Sequence, residues 1–309
     1  MVSPARTPSA SPEAGPLLPA LALGFNAFVW GISWWPFRQL QDSGLHPLVA
    51  TALVYLLSAL LLLAVRPRAW RAFARQPLLW LLAAAAGMTN VGFNWAVTMG
   101  DVVRVVLLFY LMPAWTVVLA WPLLGEKPTG VSLLRVLLGV AGVTIVLRTG
   151  DSPWPLPESL ADGLALAGGM SFALTNILLR KLQQVDGAPR VLAMFSGGAV
   201  MAGATALLGI ALGFVAPPPL PQAGWGVGLA LSLGFLASNV ALQYGAARLD
   251  AHTTALIMMS EVVFASLSSV ALGAAELSLH TWTGGTLILV AAAWSAWPAG
   301  PARPATPAQ

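Results

Sequence analysis

The chain has 309 residues, 58% of them hydrophobic and only 8% charged, with a mean hydropathy of +0.79. A soluble domain carries about 25% charged residues, so this composition cannot coat a water-facing surface. Cysteine is absent, which excludes thiol catalysis, Fe–S clusters, disulfides and Cys-ligated zinc.

A membrane-crossing helix needs roughly 20 apolar residues, and apolar runs bounded by charge or Pro/Gly clusters recur along the chain. In order they are Leu17–Leu40, Pro47–Val65, Leu78–Thr98, Val102–Leu124 and Thr129–Leu147. Five more follow at Pro157–Leu182, Pro189–Phe214, Gln222–Ala246, Ala251–Gly273 and Thr281–Trp297. The pattern predicts an all-α polytopic membrane protein with ten transmembrane helices. Residues 1–16, rich in Pro, Ser and Ala, read as a disordered tail, and the run after them lacks a clear signal-peptide cleavage site. Residues 298–309 read as a second tail, and 148–156 as an outer linker between segments 5 and 6.

The basic residues set the orientation. With the N-terminus inside, 12 of the 15 Lys and Arg fall on the inner side, and only Arg38, Arg104 and Arg148 on the outer. Both termini are therefore expected in the cytoplasm. The same scatter over loops explains the pI of 10.1 and points to the lipid bilayer, not nucleic acid, as the partner. Arg in great excess over Lys, with heavy Ala usage, points to a GC-rich bacterial source and its cytoplasmic (inner) membrane.

The chain repeats itself. A shift of 142 lays Trp30-Gly31-Ile32-Ser33 on Phe172-Ala173-Leu174-Thr175, Arg38 on Arg180 and Pro47 on Pro189. A shift of 149 lays Thr89–Asp101 on Ser238–Asp250, pairing Asn90 with Asn239, Asn94 with Gln243 and Trp115 with Phe264. Residues 17–147 and 157–297 thus form two five-helix repeats. An odd number of crossings inverts the second, as in secondary transporters.

Polar side chains at mid-depth are costly and carry the functional information. Glu261 lies 11 residues beyond Asp250, about 16 Å along a helix at ~1.5 Å per residue and so near mid-membrane. It reads as a proton-coupling or substrate-amine carboxylate, or as a carboxyl tying two helices together, with Thr254, Ala265 and Ser268 on its face. Asn90 and Asn94, spaced i, i+4, and their mates Asn239 and Gln243 offer uncharged donors and acceptors for a polar solute, or interhelical hydrogen bonds. Asn26, Trp30, Ser33 and Phe37 share one face of segment 1, with Ser171 and Thr175 opposite them in segment 6. Tyr110 and Trp115 flank Pro113, which can kink segment 4. Such aromatics line an apolar wall or simply pack.

The remaining charges read as devices of the helix ends. Arg38, Arg104, Arg180 and His252 snorkel to the interface, Arg104 having a second reading as an outer gate pair with Asp101. Arg66, Arg68, Arg71 and Arg75 set topology and meet anionic lipid. Glu126 reads as a helix-start residue. No HExxH, GxSxG, GxxxxGK[ST] or Rossmann glycine pattern occurs, so no enzyme, metal or cofactor is expected.

The stretch YLMPAWTVVLAWPLLGEKPT (Tyr110–Thr129) with LLRVLLGVAGVTIVL (Leu133–Leu147) resembles the end of an EamA-type repeat of the drug/metabolite transporter superfamily. AFVWGISWWPFRQL resembles the start of that repeat, and MMSEVVFASLSSVALGAAELS the matching part of a second copy. The resemblance implies two inverted five-helix halves around a cavity lined by helices 1, 3, 4, 6, 8 and 9, and export of amino acids, amines or other small metabolites. Two departures stand out. Val262 follows Glu261 where many relatives have proline, so segment 9 is expected to be less kinked. The Gly125-Glu126 pair is spread over Gly273-Ala274-Ala275-Glu276 in the second copy.

The expected function is secondary transport of a small-molecule solute, amino acids or related compounds, with export the expected direction. The transporter would act as a monomer or homodimer by alternating access. Asn26, Trp30, Ser33, Asn90, Asn94, Tyr110, Trp115, Thr175, Asn239 and Gln243 are the candidate binding residues, and Glu261 the proton or amine partner. A lipid-acting membrane enzyme and a receptor-like helical bundle are the alternatives.

Overall fold

The computed structural model describes residues 17–147, 157–218, 225–249, 251–275 and 278–296. The tails, the linker, Asp250, Glu276 and the side chain of His252 lie outside the described residues. The helices are α1 (Leu17–Ile32), α2 (Trp34–Asp42), α3 (Pro47–Val65), α4 (Ala69–Arg75), α5 (Pro77–Met99), α6 (Val102–Phe109) and α7 (Met112–Leu124). They continue as α8 (Gly130–Leu147), α9 (Leu160–Lys181), α10 (Gly187–Ala211), α11 (Trp225–Ala246), α12 (Ala251–Met258), α13 (Ser260–Ala271) and α14 (Leu279–Ala296). Among the described residues, seven stretches are long and apolar enough to cross a membrane, including Leu17–Asp42, Val102–Leu124 and Gly187–Ala211. This is a multi-pass membrane protein.

Each apolar run of the sequence becomes helical, but three of them break. Segment 1 divides at Ser33 because Pro36 has no N–H for the Ile32 carbonyl; Ser33 turns its own N–H and Oγ to the Trp30 carbonyl, at 3.2 and 2.8 Å. Segment 4 divides at Tyr110-Leu111, where Pro113 releases the carbonyl of Phe109. Segment 9 divides at Met259 without any proline, contrary to the expectation drawn from Val262. Here the Val262 N–H turns back to the Met259 carbonyl at 3.1 Å, and the Met258 carbonyl accepts from the Tyr110 hydroxyl at 3.4 Å. A side chain inserted into the i→i−4 ladder is a recognised cause of a break.

Helix ends follow ordinary capping chemistry. Asp101 caps α6 by accepting from the Arg104 N–H at 2.8 Å, and Ser159 caps α9 through the Asp162 N–H at 3.1 Å. His46 caps α3, its Nδ1 accepting from the Leu48 N–H. Burial lowers its pKa below the ordinary 6.5, which keeps the ring in its accepting, neutral form. Gly125 and Gly273, at φ +73° and +66°, close α7 and α13 in the left-handed region that favours glycine. Glu126 therefore follows a helix end and does not start one. Thr129 caps α8, accepting the Ser132 N–H at 3.1 Å. The short helix α4, which no apolar run announced, packs on α10 and α5.

The core lies between the two sequence repeats. Helix α1 packs on α11 and α13, and its repeat mate α9 packs on α5, α6 and α7. α10 lies on α3 and α5, and α8 on α14. Contacts across the halves thus occur in exchanged pairs. Without water to drive apolar surfaces together, such helices associate by close packing of small residues. A Cβ on Gly142 would come within 2.6 Å of the Gly284 carbonyl, and one on Gly284 within 2.6 Å of the Gly142 carbonyl. Gly31 sits equally close, at 2.7 Å, to the Glu261 carbonyl.

Gly142→Ala is expected to loosen the α8–α14 contact and cost about 1–3 kcal/mol. Gly24, with nothing within 4 Å of its would-be Cβ, provides the control, because Ala is the better helix former by about 1 kcal/mol. Thermal unfolding in detergent should show opposite shifts of Tm for the two variants; equal shifts would remove the packing argument.

Candidate solute-binding site

Where α1, α3, α5, α9, α10 and α11 surround the two helix breaks at Tyr110 and Met259, a cavity remains. It encloses about 860 Å³ of space not filled by atoms, its open mouth included. Seven of the residues singled out in the sequence line it: Asn26, Trp30, Asn90, Tyr110, Thr175, Asn239 and Glu261. Tyr55, Thr89, Phe93, Phe109, Phe172, Phe195 and the methionines Met112, Met194 and Met258 share the lining.

The lining follows the repeat register. Trp30 and Phe172 are mates under the 142 shift; Asn90 and Asn239, Phe93 and Leu242, Phe109 and Met258, and Met112 and Glu261 under the 149 shift. The two breaks also coincide, Tyr110 falling on Met259. Charge departs from this symmetry at one pair: the mate of the Glu261 carboxylate is a thioether.

Hydrogen bonds fix most of the polar lining. The single proton of the Tyr110 hydroxyl is shared between Glu261 Oε2 at 3.3 Å and the Met258 carbonyl at 3.4 Å, so the carboxylate is tied to the break in its own helix. Asn26 donates Nδ2 to the Ser238 carbonyl at 2.8 Å, joining α1 to α11. That bond fixes the amide's orientation and leaves Oδ1 buried without a partner among the described residues. Asn90 Oδ1 accepts from the Tyr55 hydroxyl at 2.7 Å. Thr89 and Thr175 return their hydroxyls to the carbonyls of Ala85 and Ser171. The Trp30 ring stacks on Phe235 at 4.5 Å between centroids, which holds it as a fixed wall.

Four candidates stand elsewhere. Ser33 closes the break of segment 1. Asn94, fully buried, donates to Thr51 Oγ1 at 3.3 Å and so joins α5 to α3. Trp115 packs on the cluster built around α6, its indole N–H buried without a partner among the described residues. Gln243 lies against the backbone of Gly187 at the start of α10. Of the lining the sequence reading missed, Tyr55 alone carried a signal: it is one of three tyrosines in the chain and stands mid-way along an apolar run. The phenylalanines and methionines carried none, because such residues recur on every face.

A second polar assembly lies apart from the cavity. The Arg104 guanidinium grips Asp162 with both nitrogens of its fork, Nε to Oδ1 at 2.8 Å and Nη2 to Oδ2 at 3.0 Å. Its Nη1 meets the Val146 carbonyl at the end of α8, at 2.6 Å. Asp101, the partner in the gate reading, instead accepts from the Arg104 backbone N–H at 2.8 Å. Arg38 likewise holds the end of α5, donating to the carbonyls of Val97 and Gly100 at 3.1 and 2.6 Å. Near the opposite ends of α7 and α9, Arg180 pairs with Glu126 at 2.7 Å, but both are exposed, and such pairs contribute little.

Residues 18–148 match the EamA-like transporter family. Thirteen solved chains resemble this one in fold. One, described only as a crystal structure of a protein, aligns over 89% of this chain and 96% of its own, with a TM-score of 0.58 and 20% identity. That likeness establishes a shared fold. No curated protein sequence matches the chain significantly.

Asp162 is nearly buried, its side chain 3% exposed, so removing its cation leaves an uncompensated charge. Arg104→Leu is expected to cost about 3–5 kcal/mol, and Arg104→Leu with Asp162→Leu to recover most of it. Thermal unfolding of the purified variants measures both. A double variant no more stable than the single would shift the effect to the Val146 contact.

Proposed function

We propose, from the match of residues 18–148 to the EamA-like transporter family, that the chain is an EamA-type secondary transporter of ten helices built of two inverted five-helix halves. It moves small organic metabolites, amino acids or their relatives, out across a bacterial cytoplasmic membrane, with both termini in the cytoplasm. The observation that carries this reading is the cavity itself. Ten of its eighteen lining residues form pairs under the two sequence shifts, and they surround two coincident helix breaks, the arrangement expected of a site at a repeat interface.

The exchanged helix contacts support the same reading, since α1 on α11 and α9 on α5 are one contact made twice. Rocking one set of helices against the other would open the cavity to each side in turn. Asn90 and Asn239 then serve polar recognition, Trp30 and Tyr110 the wall, and Glu261 the coupling proton or the substrate amine. One chain surrounds the whole cavity, which supports a monomer as the transport unit.

Glu261→Gln keeps the shape and removes the ionisable group. In proteoliposomes it is expected to abolish gradient-driven transport while sparing counterflow exchange at saturating solute. Loss of both by a properly folded variant would assign Glu261 to binding or structure instead of coupling.

A further inference from the structure

The lining of the cavity is unbalanced in charge and in hydrogen-bonding capacity. Among the described residues Glu261 is the only carboxylate that lines it, and no Lys, Arg or His does. The neighbouring cations are spent elsewhere, Arg104 on Asp162 and Val146, Arg38 on the carbonyls that end α5. Acceptors are left over as well. Asn26 Oδ1 is buried and unpartnered while its Nδ2 is committed to Ser238, and Glu261 holds one oxygen, Oε2, toward Tyr110. The donors that remain, the amides of Asn90 and Asn239, are neutral.

Resting on the transporter reading above and narrowing its substrates from amino acids and their relatives to amines, we propose that the cavity selects a protonated amine carried on an apolar or aromatic body, and discriminates against the corresponding amino acid. An ammonium supplies the donors that Glu261 and Asn26 Oδ1 lack and neutralises the only carboxylate in the lining. The faces of Trp30, Phe109 and Phe172 then take the body of the solute and add cation–π attraction. An α-amino acid brings the same ammonium but also a carboxylate. Neutral amides can hydrogen-bond that carboxylate without compensating its charge in an apolar site. A site built on unmatched acceptors discriminates strongly because the wrong ligand leaves a buried polar group unpaired.

Three probes with one phenyl body separate the charges: 2-phenylethylamine, L-phenylalanine and 3-phenylpropionate. Binding to the purified full-length protein, followed by calorimetry, is expected to be at least tenfold tighter for the amine than for the zwitterion, and absent for the acid. Glu261→Gln should weaken the amine at least tenfold and neutral 2-phenylethanol far less, and Glu261→Asp should restore part of the amine affinity. Phenylalanine binding as tightly as the amine, amine affinity indifferent to Glu261, or no amine binding by folded protein would each overturn the proposal. Counterflow of the amine in proteoliposomes tests the transporter reading separately. Binding without counterflow defeats transport and leaves the amine site standing, whereas counterflow of phenylalanine in preference to the amine defeats the charge argument and leaves transport standing.

Discussion

A carbonyl released where a helix breaks inside an apolar surround has to be met by another group, and much of this structure follows from how that is done. The Tyr110 hydroxyl reaches across from one break to the Met258 carbonyl at the other. The Phe109 carbonyl, freed by Pro113, lies against Gly169, where a Cβ would come within 2.5 Å. Satisfying the backbone internally is the strongest constraint on chains in lipid. Here it fastens the middle of α6–α7 to that of α12–α13, while close backbone approach at Gly169 seats the same break on α9. The cavity is what remains between these elements once their broken middles are tied down.

Around that centre the helices are held by close backbone approach and by polar groups at their ends. Reciprocal contact at Gly142 and Gly284 joins α8 to α14, and the Ser171 hydroxyl meets the Ala85 carbonyl at 2.9 Å between α9 and α5. Arg104 collects Asp162 and the Val146 carbonyl, so one guanidinium binds the starts of α6 and α9 to the end of α8. The Arg180–Glu126 pair is open to solvent, and water weakens it. One end is therefore tied by a buried, charge-assisted fork, the other by an exposed pair. That contrast makes the Arg104 end the harder of the two to separate.

The cavity combines a symmetric shape with an asymmetric charge. Repeat mates place aromatic, amide and thioether groups on both sides, yet only the second repeat carries a carboxylate, with Met112 standing opposite in register. In the proposed transporter a duplicated scaffold would supply shape to two access states alike. A single carboxylate, by contrast, would give a bound solute one preferred orientation. The same fact makes Glu261 the group whose chemistry the neutral remainder of the lining cannot replace.

Composition and hydropathy by themselves determined that this is a multi-pass helical membrane protein, because burial in lipid demands long apolar runs whatever their packing. The repeat register was legible for the same reason: Asn90 and Asn239 or Tyr110 and Met259 keep their spacing along the chain. Polarity at depth also brought Asn26, Asn90, Asn239 and Glu261 to notice, since such groups are costly in lipid. What spacing could not decide was the face each side chain presents. Asn94, one turn from Asn90, spends its amide on Thr51, while Asn90 reaches the cavity. Arg104 found Asp162, 58 residues away, and not its neighbour Asp101. The break at Met259 had no proline to announce it; a tyrosine from the other repeat accompanies it. Helical runs are local consequences of burial and hydrogen bonding, but partners across helices depend on rotation and crossing, which only the assembled tertiary structure fixes.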